Sequence, residues 1–171
     1  MYATITAFLE IFFKKKTIFK YGFNLSPMYR RTTGRISELS ADLFFARVKI
    51  PISYKNRNYV NSIFGGSLFT ATDPIYMIQL MQILGKDYVV WDKAASINYR
   101  RPAKKDVYAD FSFTKEEIEY IKNRVALENE IDIVKELAIT DKNRHDIFAT
   151  VSKTIYIANK KYYKNKRKKV S

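Results

Sequence analysis

The chain has 171 residues, 47% of them apolar, which suits one globular domain with a sizeable core and excludes a disordered protein. It has no cysteine and a single histidine, His145, so a disulfide framework, a cysteine nucleophile, thiolate metal ligation and a histidine-rich metal site are all excluded. The net charge of +14 sits at the ends: residues 1–35 carry seven Lys/Arg and one Glu, residues 160–171 carry seven Lys/Arg and no acid, and the middle is nearly neutral.

Residues 2–13 are apolar-rich and precede Lys14-Lys15-Lys16. A signal peptide has its positive charges first, so this order argues against one. Two readings stand: an amphipathic helix packed on the domain within residues 1–25, or a peripheral membrane helix with Phe8, Phe12 and Phe13 as an apolar wedge. Ser26-Pro27 breaks the chain and Gly34 marks a turn. Residues 35–52 read as one long strand ending near Pro51, and Asn56 to Ser62 as a polar, turn-rich loop.

From Gly65-Gly66 to Leu84 nearly every residue is apolar or small, and the apolar residues cover all sides of a helical wheel. Such a helix is buried all round. It is too short and too interrupted to span a membrane, so no integral membrane segment is expected. Its only ionisable side chain near neutral pH is Asp73, and a lone carboxylate in an apolar element is costly unless partnered. Asp73 either serves a site or caps a helix that begins at Pro74; if the helix begins near Gly66, Pro74 should kink it.

Tyr88 to Tyr99 reads as a strand with Trp91, Ala95, Ile97 and Tyr99 on one face, ending at Arg100-Arg101-Pro102. Period-2 alternation marks further strands at 106–114, from Ile131 to Thr140, and from Ile147 to Ile157. Lys115 to Leu127 reads as a helix with Thr114 and Glu117 as a capping box. Asp141 to Asp146 is the hairpin connection between the last two strands. Residues 160–171 read as a solvated, disordered basic tail. The fold class is α+β: a buried helix against an antiparallel sheet, with a domain spanning 26–159.

This order of elements resembles the hotdog fold. The segment Phe64-Gly65-Gly66-Ser67-Leu68 with Asp73 resembles the phenylacetyl-CoA-type thioesterases, whose motif is His-Gly-Gly with an Asp nine positions after the His and an Asn six before it. Those positions fall on Phe64, Asp73 and Asn58. Gly34 to Asp42 and Leu84 to Lys93 are similar to a thioesterase-like branch named only as a domain of unknown function. The departure is Phe64, which stands where the histidine would be and removes a polar group while leaving the N–H donors of Gly65 and Gly66.

The resemblance implies a cytoplasmic acyl-CoA thioesterase, working without metal or cofactor as a homodimer or dimer of dimers. Asp73 would be general base or nucleophile, the Gly65 and Gly66 amides would polarise the carbonyl, and Asn58 would orient water or carbonyl. Phe64, Ser67, Thr70 and Thr72 would line the site, and Arg100, Arg101, Lys104 and Lys105 would hold the phosphates of coenzyme A. The bland readings are a turn for Asn58, packing for the hydroxyl residues and a solvated basic turn for the cations. His145, in a polar hairpin, has no evident partner for catalysis. The alternative function is a non-catalytic acyl-CoA or fatty-acid binder; nucleic acid is not an expected partner, because the basic charge is not on the folded body.

Overall fold

The structure is a computed structural model that describes residues 15–170. The helix expected in residues 2–13, with Phe8, Phe12 and Phe13, lies outside the described residues. The elements are α1 (Lys15–Leu25), α2 (Pro27–Arg31), β1 (Arg35–Leu39), β2 (Phe45–Ile50), α3 (Gly65–Thr72), α4 (Ile75–Leu84), β3 (Tyr88–Tyr99), β4 (Val107–Ser112), α5 (Lys115–Glu128), β5 (Glu130–Thr140), β6 (Ile147–Asn159) and α6 (Lys160–Val170). Six strands form one antiparallel sheet in the order β1-β2-β4-β5-β6-β3.

Alternation decides what the sheet buries. On β6, Ala149, Val151, Ile155 and Ile157 are buried and the residues between them are mostly half-exposed. The same face carries Val48 and Ile50 of β2, Ala109 and Phe111 of β4, and Ile139 of β5. Leu68, Ala71, Ile75, Tyr76 and Leu80 of α3–α4 join that core. The Tyr76 ring meets Phe111 and Phe113 edge-on, with centroids 4.9 and 5.3 Å apart, a favoured aromatic geometry.

Three local expectations change. The single strand expected over 35–52 is a hairpin, β1 and β2, because Asp42 builds a turn inside it. The Asp42 carboxylate accepts from the Ser40 hydroxyl at 2.5 Å and the Phe44 N–H at 3.1 Å, and Leu43 takes a positive φ of 66°. The strand β3 has its expected bounds, but a bulge between Asp92 and Ala94 reverses its facing. Trp91 pairs with Tyr156 while Ala95 pairs with Lys153. Trp91 therefore lies on the opposite face from Ala95, Ile97 and Tyr99. Residues 160–170, expected as a disordered tail, form α6; Lys166 and Tyr156 both bond Glu130, and Tyr163 lies against Tyr156.

Elsewhere the local chemistry is as read. Thr114 and Glu117 form both halves of the capping box of α5, at 3.1 and 2.8 Å. The hairpin at 141–146 is organised by Asp141, which accepts from the N–H groups of His145 and Asp146.

The two sheet edges differ. β1 is covered by α1: the Asn24 side chain bonds both backbone groups of Ile36, at 2.8 and 3.0 Å, and the Lys20 ammonium donates to the Ser37 carbonyl at 2.6 Å. β3 at the other edge has no such cover among the described residues, and Trp91, Ala94, Ala95, Ser96 and Tyr99 are exposed.

Tyr29 ties the short helix α2 to the central helix. It is fully buried, and its hydroxyl donates to the Ala71 carbonyl at 2.9 Å. Tyr29→Phe strands that carbonyl in the core, and stability should fall by about 1–3 kcal/mol, read from the urea midpoint. An unchanged midpoint would show that the carbonyl finds another donor.

Candidate functional site

The central helix starts at Gly65 and breaks at Pro74, so Asp73 closes α3 and is not the N-cap of a helix beginning at Pro74. Pro74 has no N–H to give to Thr70, four residues back. The Asp73 N–H takes the Thr70 carbonyl instead, at 3.3 Å, and α4 resumes with the Ile78 N–H on the Pro74 carbonyl at 3.1 Å. The carbonyls freed near the break find donors outside the helix. Tyr29 takes Ala71, and the Lys153 ammonium takes Asp73.

Lys153 comes from β6 and its side chain is 0% exposed. Besides the Asp73 carbonyl, its ammonium contacts Asp73 Oδ1 at 3.0 Å and Asp92 Oδ2 at 2.8 Å. An ammonium has three N–H bonds, and these three acceptors use all of them. The bulge in β3 aims Asp92 to the helix-bearing face. Asp73 itself is 61% exposed, so it joins a buried cation to the protein surface. Burial pushes the Asp92 carboxyl above its ordinary value; the neighbouring Asp73 charge adds to that, and Lys153 opposes it. Asp92 Oδ1 is buried and has no hydrogen-bond partner among the described residues.

The other end of α3 holds Phe64, Gly65 and Gly66. Ser67 and Leu68 N–H groups turn back to the Phe64 carbonyl, leaving the first-turn amides of Gly65 and Gly66 directed out of the helix. Tyr99 crosses close above Gly65: a Cβ there would lie 2.8 Å from the Tyr99 hydroxyl oxygen. A Cβ on Gly66 would lie 2.3 Å from the Phe64 ring. A side chain at either position would therefore displace the Tyr99 or Phe64 ring. Phe64 is 58% exposed, an apolar ring standing at the helix N-terminus.

Other candidates separate. The Asn58 side-chain Oδ1 accepts from Val60 N–H, Ser62 N–H and Ser62 hydroxyl at 3.0–3.1 Å, so Asn58 organises its own loop. The buried asparagine is Asn56, whose side chain bonds Ser53, Thr33 and Pro51. The hydroxyls of Thr70 and Thr72 donate to helix carbonyls of Gly66 and Phe69, while Ser67 is half-buried in the first turn. Arg101 and Lys105 pair with Asp146; Arg100 and Lys104 are exposed and make no ion pair among the described residues. His145 is exposed in the β5–β6 hairpin. Sequence reading missed Lys153 and Asp92. Lys153 occupies an inward position in the alternating β6 pattern, between Val151 and Ile155, and that misplaced charge was the available signal.

Among the described residues no cluster of three or more acidic or histidine side chains suits a metal. No described helix is long and apolar enough to cross a membrane. An open groove of about 730 Å³ lies along α6, against Val89, lined by Lys160, Lys161, Lys164, Arg167 and Lys168.

Residues 15–157 match the family described as a domain of unknown function, DUF4442. The chain belongs to this family. A comparison with curated proteins gives no match. Solved structures share the fold of this DUF4442 chain at low identity. One is a Pseudomonas aeruginosa protein of unknown function described as a probable thioesterase, at 18% identity and TM-score 0.73, covering 84% of this chain and 95% of that one. Another is a thioesterase from Haemophilus influenzae, at 12% identity and TM-score 0.61, covering 85% and 91%. A third is a thioesterase from Staphylococcus aureus, at 12% identity and TM-score 0.55, covering 78% and 99%. The DUF4442 domain thus has the hotdog fold: an antiparallel sheet wrapped around a central helix, here one broken at Pro74.

The Asp92 geometry gives a test by pH. A carboxyl whose folded-state value is raised binds more protons folded than unfolded, so its contribution to stability falls as pH rises from the ordinary 3.8 through the raised value. Asp92→Asn removes that fall. Urea unfolding of both proteins across the acid range should show the Asn variant gaining on wild type as pH rises. A difference independent of pH would mean that Asp92 is not desolvated.

Proposed function

We propose that this protein hydrolyses an acyl-CoA thioester without metal, with Asp73 as the reacting carboxylate. The observation that carries the reading is an exposed carboxylate rooted on a buried lysine in the central helix of a hotdog domain. Asp73 takes a proton from water as the water oxygen bonds the thioester carbon. The carbonyl oxygen gains negative charge against the Gly65 and Gly66 amides at a helix N-terminus. Collapse of the tetrahedral intermediate breaks the C–S bond, and the coenzyme A thiolate leaves and is protonated, giving a carboxylic acid and a thiol. Arg100 and Lys104, exposed just beyond Tyr99, are suited to the phosphates of coenzyme A.

One protomer cannot supply all of this to one carbonyl. Gly65 and Asp73 are eight residues apart along α3, about 12 Å at the helical rise. The open β3 edge supplies the remedy in a homodimer. An antiparallel pairing of two β3 strands centred at Ala95 brings Tyr99 of one copy to the Val90–Asp92 end of the other. Gly65 lies beside Tyr99, and Asp73 lies beside Asp92, so the glycine amides of one copy face the carboxylate of the other. The middle of the strand, Ala94-Ala95-Ser96, carries no large or charged side chain to oppose such pairing. Light scattering at micromolar concentration should give a mass twice the 20.1 kDa of the chain; a monomer removes this arrangement.

Phe64 favours a second reading, a non-catalytic acyl-CoA or fatty-acid binder, since an exposed aromatic ring at the site mouth suits an acyl chain. Asp73→Asn separates the two. Asparagine keeps an oxygen for Lys153 but takes no proton from water. Turnover across a series of acyl-CoA lengths should fall by roughly 10²–10⁴, with the fold kept because asparagine retains an oxygen for Lys153 and Asp92 remains as its counter-charge. Hydrolysis by the wild type at no more than the uncatalysed rate would favour the binder, and full turnover by the variant would remove Asp73 from the mechanism.

A further inference from the structure

Lys153 is unexplained by the reaction as written. A lysine with no exposed side-chain surface costs several kcal/mol in desolvation. An apolar residue there would continue the run Ala149, Val151, Ile155, Ile157 on the same face of β6. Buried ion pairs replaced by apolar side chains are often neutral or stabilising, so stability alone is a poor reason for this one. What the lysine does geometrically is specific. Its three contacts hold both the backbone carbonyl and one carboxylate oxygen of Asp73, and anchor the ammonium to Asp92 on the neighbouring strand.

We propose that Lys153 and Asp92 are positioning residues that select the reacting oxygen of Asp73, an inference that rests on the thioesterase reading above. Lys153 occupies Oδ1. Oδ2 has no hydrogen bond among the described residues, and the side chain is 61% exposed, so Oδ2 is the oxygen left to meet the water. The grip on the Asp73 carbonyl holds the residue at the end of α3, where Pro74 prevents the helix from holding it by its own hydrogen bonds. Asp92 keeps the ammonium from leaning wholly on Asp73 and leaves the trio with one net negative charge. The nearest other lysine on this face, Lys135 on β5, is paired with Glu117 and stacked on Phe113, and Lys93 beside the bulge pairs with Asp132. Neither takes over the contact with Asp73.

The test uses the full chain, with wild type, Asp73→Asn, Lys153→Met, Asp73→Asn with Lys153→Met, and the double variant Asp92→Asn with Lys153→Met. The single Lys153 variant leaves Asp92 buried without its cation, a strongly destabilising change; the double variant removes both charges together. In whichever of them unfolds cooperatively, kcat should fall on the order of 10², the cost of a misplaced reacting group, with KM unchanged. In the Asp73→Asn background, adding Lys153→Met should bring no further loss, because Lys153 acts through Asp73. Wild-type kcat in a folded Lys153 variant overturns the positioning role while leaving Asp73 and the thioesterase reading intact. A further loss in the Asp73→Asn background also overturns it, as does failure of both Lys153 variants to fold, which assigns the lysine to the fold alone. A wild type that hydrolyses no thioester overturns the reading itself and this inference with it.

Discussion

The central constraint in this molecule is the break in its buried helix at Pro74 and the buried ammonium placed under it. A proline inside a helix frees a carbonyl from its usual partner and weakens the local ladder by ~3 kcal/mol or more. Here the loss is spread over neighbours that come from elsewhere in the chain. Tyr29 from α2 takes one carbonyl and Lys153 from β6 takes another. The helix is thereby pinned to the sheet at its weakest point. The same break lets Asp73 stand outward while Ile75, Tyr76 and Leu80 go on filling the core. A continuous helix would hold the Asp73 carbonyl in its own ladder and leave Lys153 with one fewer acceptor.

The edge strand is tied to the same place. A bulge adds a residue to one strand and changes which side chains face which way. Without the bulge between Asp92 and Ala94, the inward residues of β3 would not include both Val90 and Asp92 at one end and Ala95, Ile97 and Tyr99 at the other. With it, Asp92 reaches Lys153, Tyr99 reaches Gly65, and Trp91 moves to the outer face beside Tyr156. The strand that carries these contacts is also the one left open at the sheet edge, whereas β1 has its backbone groups bonded by Asn24 and Lys20. An edge closed by side chains has no backbone groups left for a further strand, whereas a bare edge does.

Much of the fold was legible in the sequence because it rests on periodicity. The alternation in β4, β5 and β6, the capping box at Thr114 and Glu117 and the apolar run after Gly66 each have one favoured structural outcome. The hairpin between β1 and β2 was not legible, because Ser40 and Asp42 fit the polar half of an alternating strand as well as they fit a turn. The facing of Trp91 was missed for a similar reason: a bulge shifts parity without altering composition. At the site, Asp73 stood out as a lone carboxylate in an apolar run. Its partners did not, since Asp92 and Lys153 lie 19 and 80 residues away and only the β3–β6 register brings them together. Asn58, the position that the spacing singles out, bonds within its own loop, while Asn56 two residues before it is buried and ties the loop to Thr33 and Pro51.

Phe64 decides how the two ends of α3 are to be weighed. A histidine there would bring a polar side chain to the glycine amides; phenylalanine brings none, and its own N–H is already given to the Asn56 carbonyl at 2.7 Å. What the ring supplies is apolar surface over Gly66. Hydrogen bonds and helix-end charges act more strongly where water is kept away, so a ring beside two free amides raises the worth of those amides even as it withdraws a polar group. The exchange has a direction. Phe64 cannot share in proton transfer as a histidine there could, so in the proposed reaction the proton taken from water falls to Asp73, and the strictness with which Lys153 holds that one carboxylate becomes the feature on which the proposed catalysis turns.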